Sequence, residues 1–256
     1  MIVLKSKKEL EIMREAGLIT AGALRVVQEQ IRPGVTTAYL NRLAEEYILS
    51  RSATPAFKGY NGFPASICAS VNAQVVHGFP NDIELQEGDI VSIDIGAFYN
   101  GYCADAARTF PVGNISDEAA ALIEAAKNSF FEGLKYARLG YRLSDLSHAI
   151  QSYVEARGFS VVKSFVGHGI GQKMHEDPQV PNFGPPGMGP RLRPGMTLAI
   201  EPMVNQGTDE VDIQADGWTV LTRDRKLSAH YENTIAITDG DPLILTLEGQ
   251  GYHDVR

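Results

Sequence analysis

Residues 87–110, EGDIVSIDIGAFYNGYCADAARTF, constrain the fold more than any other part of the chain. Ile90, Val91, Ile93 and Ile95 are β-branched and apolar, with Ser92 and Asp94 interleaved, which is a strand pattern. Asn100-Gly101 follows, and a two-residue type I′ turn needs φ > 0 at both positions, which this pair accepts readily. With that pair as the loop, Asp94 lies opposite Ala107, and Asp105 falls on the same face as Asp94. Diagonal neighbours on one face are ~7–8 Å apart at Cα, so their side chains can converge. Two converging carboxylates repel unless a proton or a cation lies between them. A loop one residue shorter or longer would send one acid to the opposite face.

The elements around this hairpin follow in a regular order. Ser6-Lys7-Lys8-Glu9 is a capping box, and Leu10, Met13, Ile19, Leu24, Val27 and Ile31 recur at helical spacing up to Arg32-Pro33-Gly34. A second helix begins near Thr37, a Gly/Pro/aromatic loop covers 55–64, and short strands are expected at 66–70 and 74–76, ending at His77-Gly78. After the hairpin, helices are expected from Ser116 to Leu139 and from Ser144 to Arg157. Strand-like residues 160–166 then lead to Gly167-His168-Gly169, and a Gly/Pro-rich loop covers 177–195. Strands are expected at 196–204, 218–222, 231–238 and 243–247.

The order repeats. Gly34, Leu40 and Tyr47-Ile48 correspond to Gly140, Leu146 and Tyr153-Val154; Ile93-Asp94 corresponds to Ile200-Glu201; His77-Gly78 corresponds to His168-Gly169; and Asp105 has its counterpart in Glu232. Each half is two helices, a strand ending in His-Gly, and two strands each carrying an acid. The expectation is a single catalytic domain over 1–256, with pseudo-repeats at about 5–113 and 116–247. It is an α-plus-β fold with an antiparallel-rich sheet, helices on one face, and four acids meeting near an internal twofold axis.

Composition narrows the partners. The net charge of −8, with no Lys/Arg run, argues against nucleic acid or an anionic membrane as the main partner. No apolar run approaches the ~18 residues of a membrane span. The N-terminal residues lack a signal-peptide core, and Cys68 and Cys103 are the only cysteines, so a cytoplasmic location is expected.

The candidate site is Asp94, Asp105, His168, Glu201 and Glu232. Four carboxylates stay ionised and close only with cations between them. Two divalent ions would neutralise them, and bridging carboxylates would hold such a pair about 3.5–4 Å apart. One imidazole among carboxylates favours Mn(II), Fe(II) or Co(II) over a thiolate-type zinc site, although Zn(II) also accepts these donors. The implied chemistry is a hydroxide, bridging the metals, that attacks a polarised carbonyl. Any single Asp or Glu is ordinarily a solvated residue or a turn cap. Asp105 within Ala-Asp-Ala and Glu201 between Ile200 and Pro202 are set among apolar neighbours and resist that reading.

The motifs SIDIGAFYNGYCADAARTF, GHGIG-x3-HEDP, LAIEPM, DGWTV and HYENTIAIT, in that order, resemble the type I methionine aminopeptidases of the pita-bread fold. The resemblance covers nearly the whole chain. It implies removal of the initiator methionine from nascent proteins and peptides with a small second residue. It makes Asp94, Asp105, His168, Glu201 and Glu232 the ligands of a dinuclear site, with Asp105 and Glu232 bridging and Glu201 also the proton-transferring base. His77 in VVHGFP and His175 in KMHEDP occupy the family's catalytic histidine positions. His175 would stabilise the scissile carbonyl as its oxygen gains charge. His77 would hold the amide nitrogen and help protonate the leaving amine. Tyr60, Phe63, Cys68 and Trp218 occupy the positions of a thioether pocket, in keeping with sulfur–aromatic contact. Phe57 and Met174 stand where some relatives carry other residues. His148, His230 and His253 receive no role. A monomer is expected, acting on peptide N-termini and allowing transient contact with the ribosome.

Three rival readings are weaker. Proline-specific relatives of the fold usually carry a large N-terminal domain, whereas here the catalytic motifs begin at once. Type II methionine enzymes carry a helical insertion for which the stretch between His168 and Glu201 leaves little room. A catalytically dead relative acting as a binding protein would be expected to have lost a ligand. Gly167-x-Gly169-x-Gly171 lacks the spacing of a dinucleotide loop.

Overall fold

The computed structural model describes residues 1–248, so His253 lies outside the described residues. Helix α1 (Lys7–Gln28) starts at the predicted capping box: the Glu9 carboxylate accepts from Ser6 N at 2.7 Å, and Ser6 Oγ accepts from Glu9 N. It ends before Ile31, which packs against the core from the following turn. Helix α2 (Thr37–Ser50) is capped by Thr36 and buries Leu40, Ala44 and Ile48. Strand β1 (Thr54–Pro55) precedes the aromatic loop, and β2 (Ile67–Val71) and β3 (Gln74–Val76) follow it.

Strands β4 (Ile90–Tyr99) and β5 (Tyr102–Pro111) form the central hairpin with the register read from sequence, Asp94 opposite Ala107 and Gly96 opposite Asp105. Asn100 (φ 47°) and Gly101 (φ 82°) make the turn. β4 is flanked by β1 and β2 as well as β5, and Ile67, Ile93, Ile95 and Ala106 join Leu24, Leu40 and Ile48 in one core beneath α1 and α2.

The second half has helices α3 (Asp117–Leu134), capped by Ser116, and α4 (Leu143–Glu155). They pack on each other, and Phe130, Leu146 and Ile150 share a core with Leu198, Ile200 and Ile235. Of 160–166 only β6 (Ser160–Val161) is strand; β7 (Gly167–Gly169) carries His168. The expected loop at 177–195 begins as β8 (Glu176–Val180), paired to β7. The strand expected at 196–204 divides into β9 (Thr197–Ile200) and β10 (Met203–Asn205), because Pro202 has no N–H for a ladder. Hairpin β11 (Val211–Ile213) and β12 (Val220–Thr222) joins β3. Strands β13 (Ser228–His230) and β14 (Asn233–Ala236) flank Tyr231-Glu232, and β15 (Leu243–Ile244) pairs with β14. Every pairing between these strands is antiparallel. Among the described residues no helix is long and apolar enough to cross a membrane.

A seam joins the halves. Glu232 N donates to Ala107 O at 2.9 Å, and Asp105 N donates to Thr234 Oγ1 at 2.9 Å, which in turn donates to Asp105 O. Half-buried Arg108 donates to Glu232 O and, at 2.7 Å, to Asn233 Oδ1, with its guanidinium over the Tyr231 ring. At the N-terminus, buried Lys5 pairs with Glu176, and its N–H donates to Gly195 O at 2.7 Å.

Gly101 has open space where a side chain would stand, so only its left-handed backbone opposes substitution. Gly101→Ala is expected to cost about 1 kcal/mol of stability with turnover unchanged, read by urea unfolding and a peptide assay.

Candidate metal centre and adjoining pocket

Each acid reaches the centre from a different segment of the chain. Asp94 and Asp105 project from β4 and β5 on the hairpin's common face. Glu201 caps β9 just before Pro202, where its carbonyl accepts from Asn182 Nδ2 at 3.0 Å. Glu232 sits between β13 and β14, placed beside Asp105 by the seam. His168 comes from β7, whose pairing with β9 sets it opposite Ala199. Ligand-type atoms of Asp105, His168 and Glu232 lie within 4.8 Å of one another, and all three residues are buried. His168 Nε2 is 3.6 Å from Glu201 Oε1.

The electrostatics are those of a cation site. Asp94 Oδ1, Asp105 Oδ1 and Glu232 Oε1 are buried without hydrogen-bond partners among the described residues. Burial raises Asp94 to about 7 and lifts Asp105, Glu201 and Glu232 well above the usual carboxylate range, with neighbouring acids pushing the same way. Burial also pulls His168 down to about 4, which keeps its imidazole neutral and able to ligate. Orphaned acceptors in a buried, proton-retaining acid cluster fit divalent cations held by oxygen and one imidazole nitrogen.

His77 follows β3 with φ 60°, a left-handed backbone that is costly for a residue with a Cβ and is found at functional sites. Gly78 next to it allows close packing, since a Cβ there would meet Ala69 O at 2.4 Å. His77 stands edge-on to Phe165 and Trp218, and burial lowers it to about 4. His175 lies on the outer rim, its ring 4.2 Å from that of His168. Tyr60 Oη is 2.8 Å from His175 Nδ1, and the two rings stack.

The structure brings every candidate residue read from the sequence to one cavity of about 170 Å³. Asp94, Asp105, His168, Glu201 and Glu232 form its floor, His77 and His175 border it, and Tyr60, Phe63, Cys68 and Trp218 wall it together with Phe57, Met174 and Asn61. The volume is below the roughly 300–1,000 Å³ of pockets for drug-sized ligands, so it suits one side chain. Phe63 packs edge-on against both Phe57 and Trp218. Sequence reasoning missed Asn61, for which no local pattern gives a signal. It also gave no role to His230, which is buried with Nε2 3.8 Å from Glu201 Oε2.

A buried acid cluster with one imidazole, set where the β4–β5 hairpin meets the strands of the second half, has the donors of a metallohydrolase centre, and residues 11–239 match metallopeptidase family M24. The chain belongs to that family. It is 60% identical to the methionine aminopeptidase of Clostridium perfringens over 96% of this chain and 99% of the relative, and 55% identical to methionine aminopeptidase 1 of Bacillus subtilis over 96% and 99%. The crystal structure of methionine aminopeptidase from Thermotoga maritima, 46% identical, superposes with a TM-score of 0.95 over 97% of this chain and 100% of that one. Within the family the chain falls among the methionine aminopeptidases, and its fold is the pita-bread fold.

Metal binding has to displace the protons that burial keeps on the acids. Affinity therefore rises with pH through the Asp94 value of about 7 and falls below it. Calorimetry of Mn(II) binding at about pH 6, in buffers of different ionisation heat, is expected to show net proton release. Zero release would mean that the acids are already ionised.

Proposed function

We propose that this chain removes the N-terminal methionine from nascent proteins and peptides whose second residue is small. The carrying observation is that the acid cluster and a set of aromatic and sulfur-bearing side chains line one small cavity. A side chain seated among them would set its own backbone beside the acids, and a cavity of about 170 Å³ has room for one such side chain.

Asp94, Asp105, His168, Glu201 and Glu232 would hold two divalent ions; Mn(II), Fe(II) and Co(II) suit the donors, and Zn(II) is also accepted. Bound there, the ions would polarise the scissile carbonyl and lower the pKa of the attacking water. Glu201 takes the proton from that water and delivers it toward the leaving amine. With Tyr60 Oη, 2.8 Å away, as donor to His175 Nδ1, the ring proton would sit on Nε2, free to donate to the carbonyl oxygen as charge develops. His77, held rigid by its backbone and by Trp218, receives the substrate amide nitrogen and assists protonation of the departing amine. Tyr60, Phe63, Cys68 and Trp218 contact the thioether; soft and aromatic groups favour sulfur over a branched aliphatic chain. The chain works as one domain of two pseudo-repeats, a cytoplasmic monomer that meets its substrates at or near the ribosome.

Metal-stripped protein refilled separately with Mn(II), Fe(II), Co(II) and Zn(II) is expected to release Met from Met-Ala-Ser only in the presence of metal. Leu-Ala-Ser, Ala-Pro-Ser and Met-Leu-Ser should be poor substrates. Robust cleavage of Met-Leu-Ser would sink the small-residue requirement, and cleavage of Ala-Pro-Ser alone would move the chain to the proline-specific branch. In His175→Ala, metal content should stay normal while kcat falls by about 100-fold or more. Loss of metal in that variant would make His175 a ligand instead.

A further inference from the structure

His230 has no part in the ligand set or the histidine pair, yet its placement is closely determined. It ends β13, directly opposite Met203 of β10. Its N–H donates to Thr109 Oγ1 at 2.8 Å and its carbonyl accepts from the same hydroxyl at 2.9 Å, while Ser92 Oγ is 2.8 Å from Thr109 Oγ1. One residue on, Tyr231 N donates to Pro202 O at 3.2 Å, which ties the segment carrying His230 to the segment carrying Glu201. The side chain is only 2% exposed, and its Nε2 has no hydrogen-bond partner. Glu201 Oε2 lies 3.8 Å away.

A buried imidazole nitrogen without a partner costs free energy, so a position fixed this firmly calls for an acceptor in the working state. Glu201 is that acceptor, and closing the gap to the roughly 2.7–3.2 Å of a hydrogen bond takes a side-chain shift of under about 1 Å. Its other oxygen already faces His168. A carboxylate that both ligates and moves a proton needs its orientation fixed by a donor from outside the site.

We propose that His230 is a positioning residue for Glu201, its Nε2–H donating to Glu201 Oε2 and holding the carboxylate in the orientation that ligation and proton transfer require. This rests on the reading of Glu201 as ligand and base.

The test compares His230→Gln with His230→Met, side chains of similar reach of which only Gln can donate. His230→Met is expected to lower kcat on Met-Ala-Ser by about 10–100-fold with KM changed less than about threefold, and to weaken Mn(II) affinity of the stripped protein, read by calorimetry, by about 10-fold. His230→Gln should recover most of both. Equal behaviour of the two variants, whether unimpaired or equally impaired, overturns the proposal. Should His230→Met fail to fold, the native protein gives the answer. In the Zn(II)-loaded state, a hydrogen-bonded His230 Nε2 proton should appear by nitrogen-15 NMR and be lost in Glu201→Ala; its absence from the native spectrum overturns the proposal. Full turnover and metal binding in Glu201→Gln would instead overturn the reading of Glu201, separately from anything seen at His230.

Discussion

The functional centre depends on the backbone seam between β5 and the segment that carries Glu232. Glu232 N to Ala107 O, Asp105 to Thr234 in both directions, and Arg108 to the Glu232 carbonyl form one continuous set of bonds. They force two acids from distant parts of the chain into adjacency, against their mutual repulsion. The other site features follow from it. Asp94 joins because the hairpin register puts it on the face of Asp105, His168 because β7 pairs with β9, and Glu201 because β9 pairs with β14. Backbone hydrogen bonds in a dry interior provide the rigidity that side-chain contacts alone would not.

The site thus stores an electrostatic conflict that only binding resolves. The same burial that raises the acids lowers the imidazoles, so the protonated, metal-free cluster and the ionised, metal-loaded one are two states of a single framework. The aromatic side chains and this cluster line the same cavity, so under the proposed function one side chain would be recognised beside the reacting bond. Specificity and chemistry share walls: Tyr60 is at once part of the slot and the partner of His175.

What the sequence disclosed follows the range of the interactions involved. The hairpin and its register were legible because Asn100-Gly101 is a local backbone requirement, and the starts of α1 and α3 because their caps lie within one turn. The acids of the second half were legible through motif resemblance and the repeat. The strand breaks were harder. Pro202 splits one expected strand, and Tyr231-Glu232 drop out of the start of another where the chain turns to meet β5, a tertiary demand that no local pattern announces. The contact between Tyr60 and His175, and the enclosure of His230, arise only when segments far apart in sequence are packed together.

The distance along the chain over which these contacts close has a consequence for synthesis. The bond between Asp105 and Thr234 spans 129 residues, and the Lys5–Glu176 pair spans 171. A growing chain on the ribosome has its hairpin, two of its acids and its first two helices long before Glu232 leaves the exit tunnel. Until then the acid cluster lacks Glu232, and β5 lacks its partner across the seam. Closing loops of this length is the slow, entropically opposed part of folding. A chain that stops before Glu232 thus lacks both the seam and one of the clustered acids, so the cluster is completed only near the end of the polypeptide.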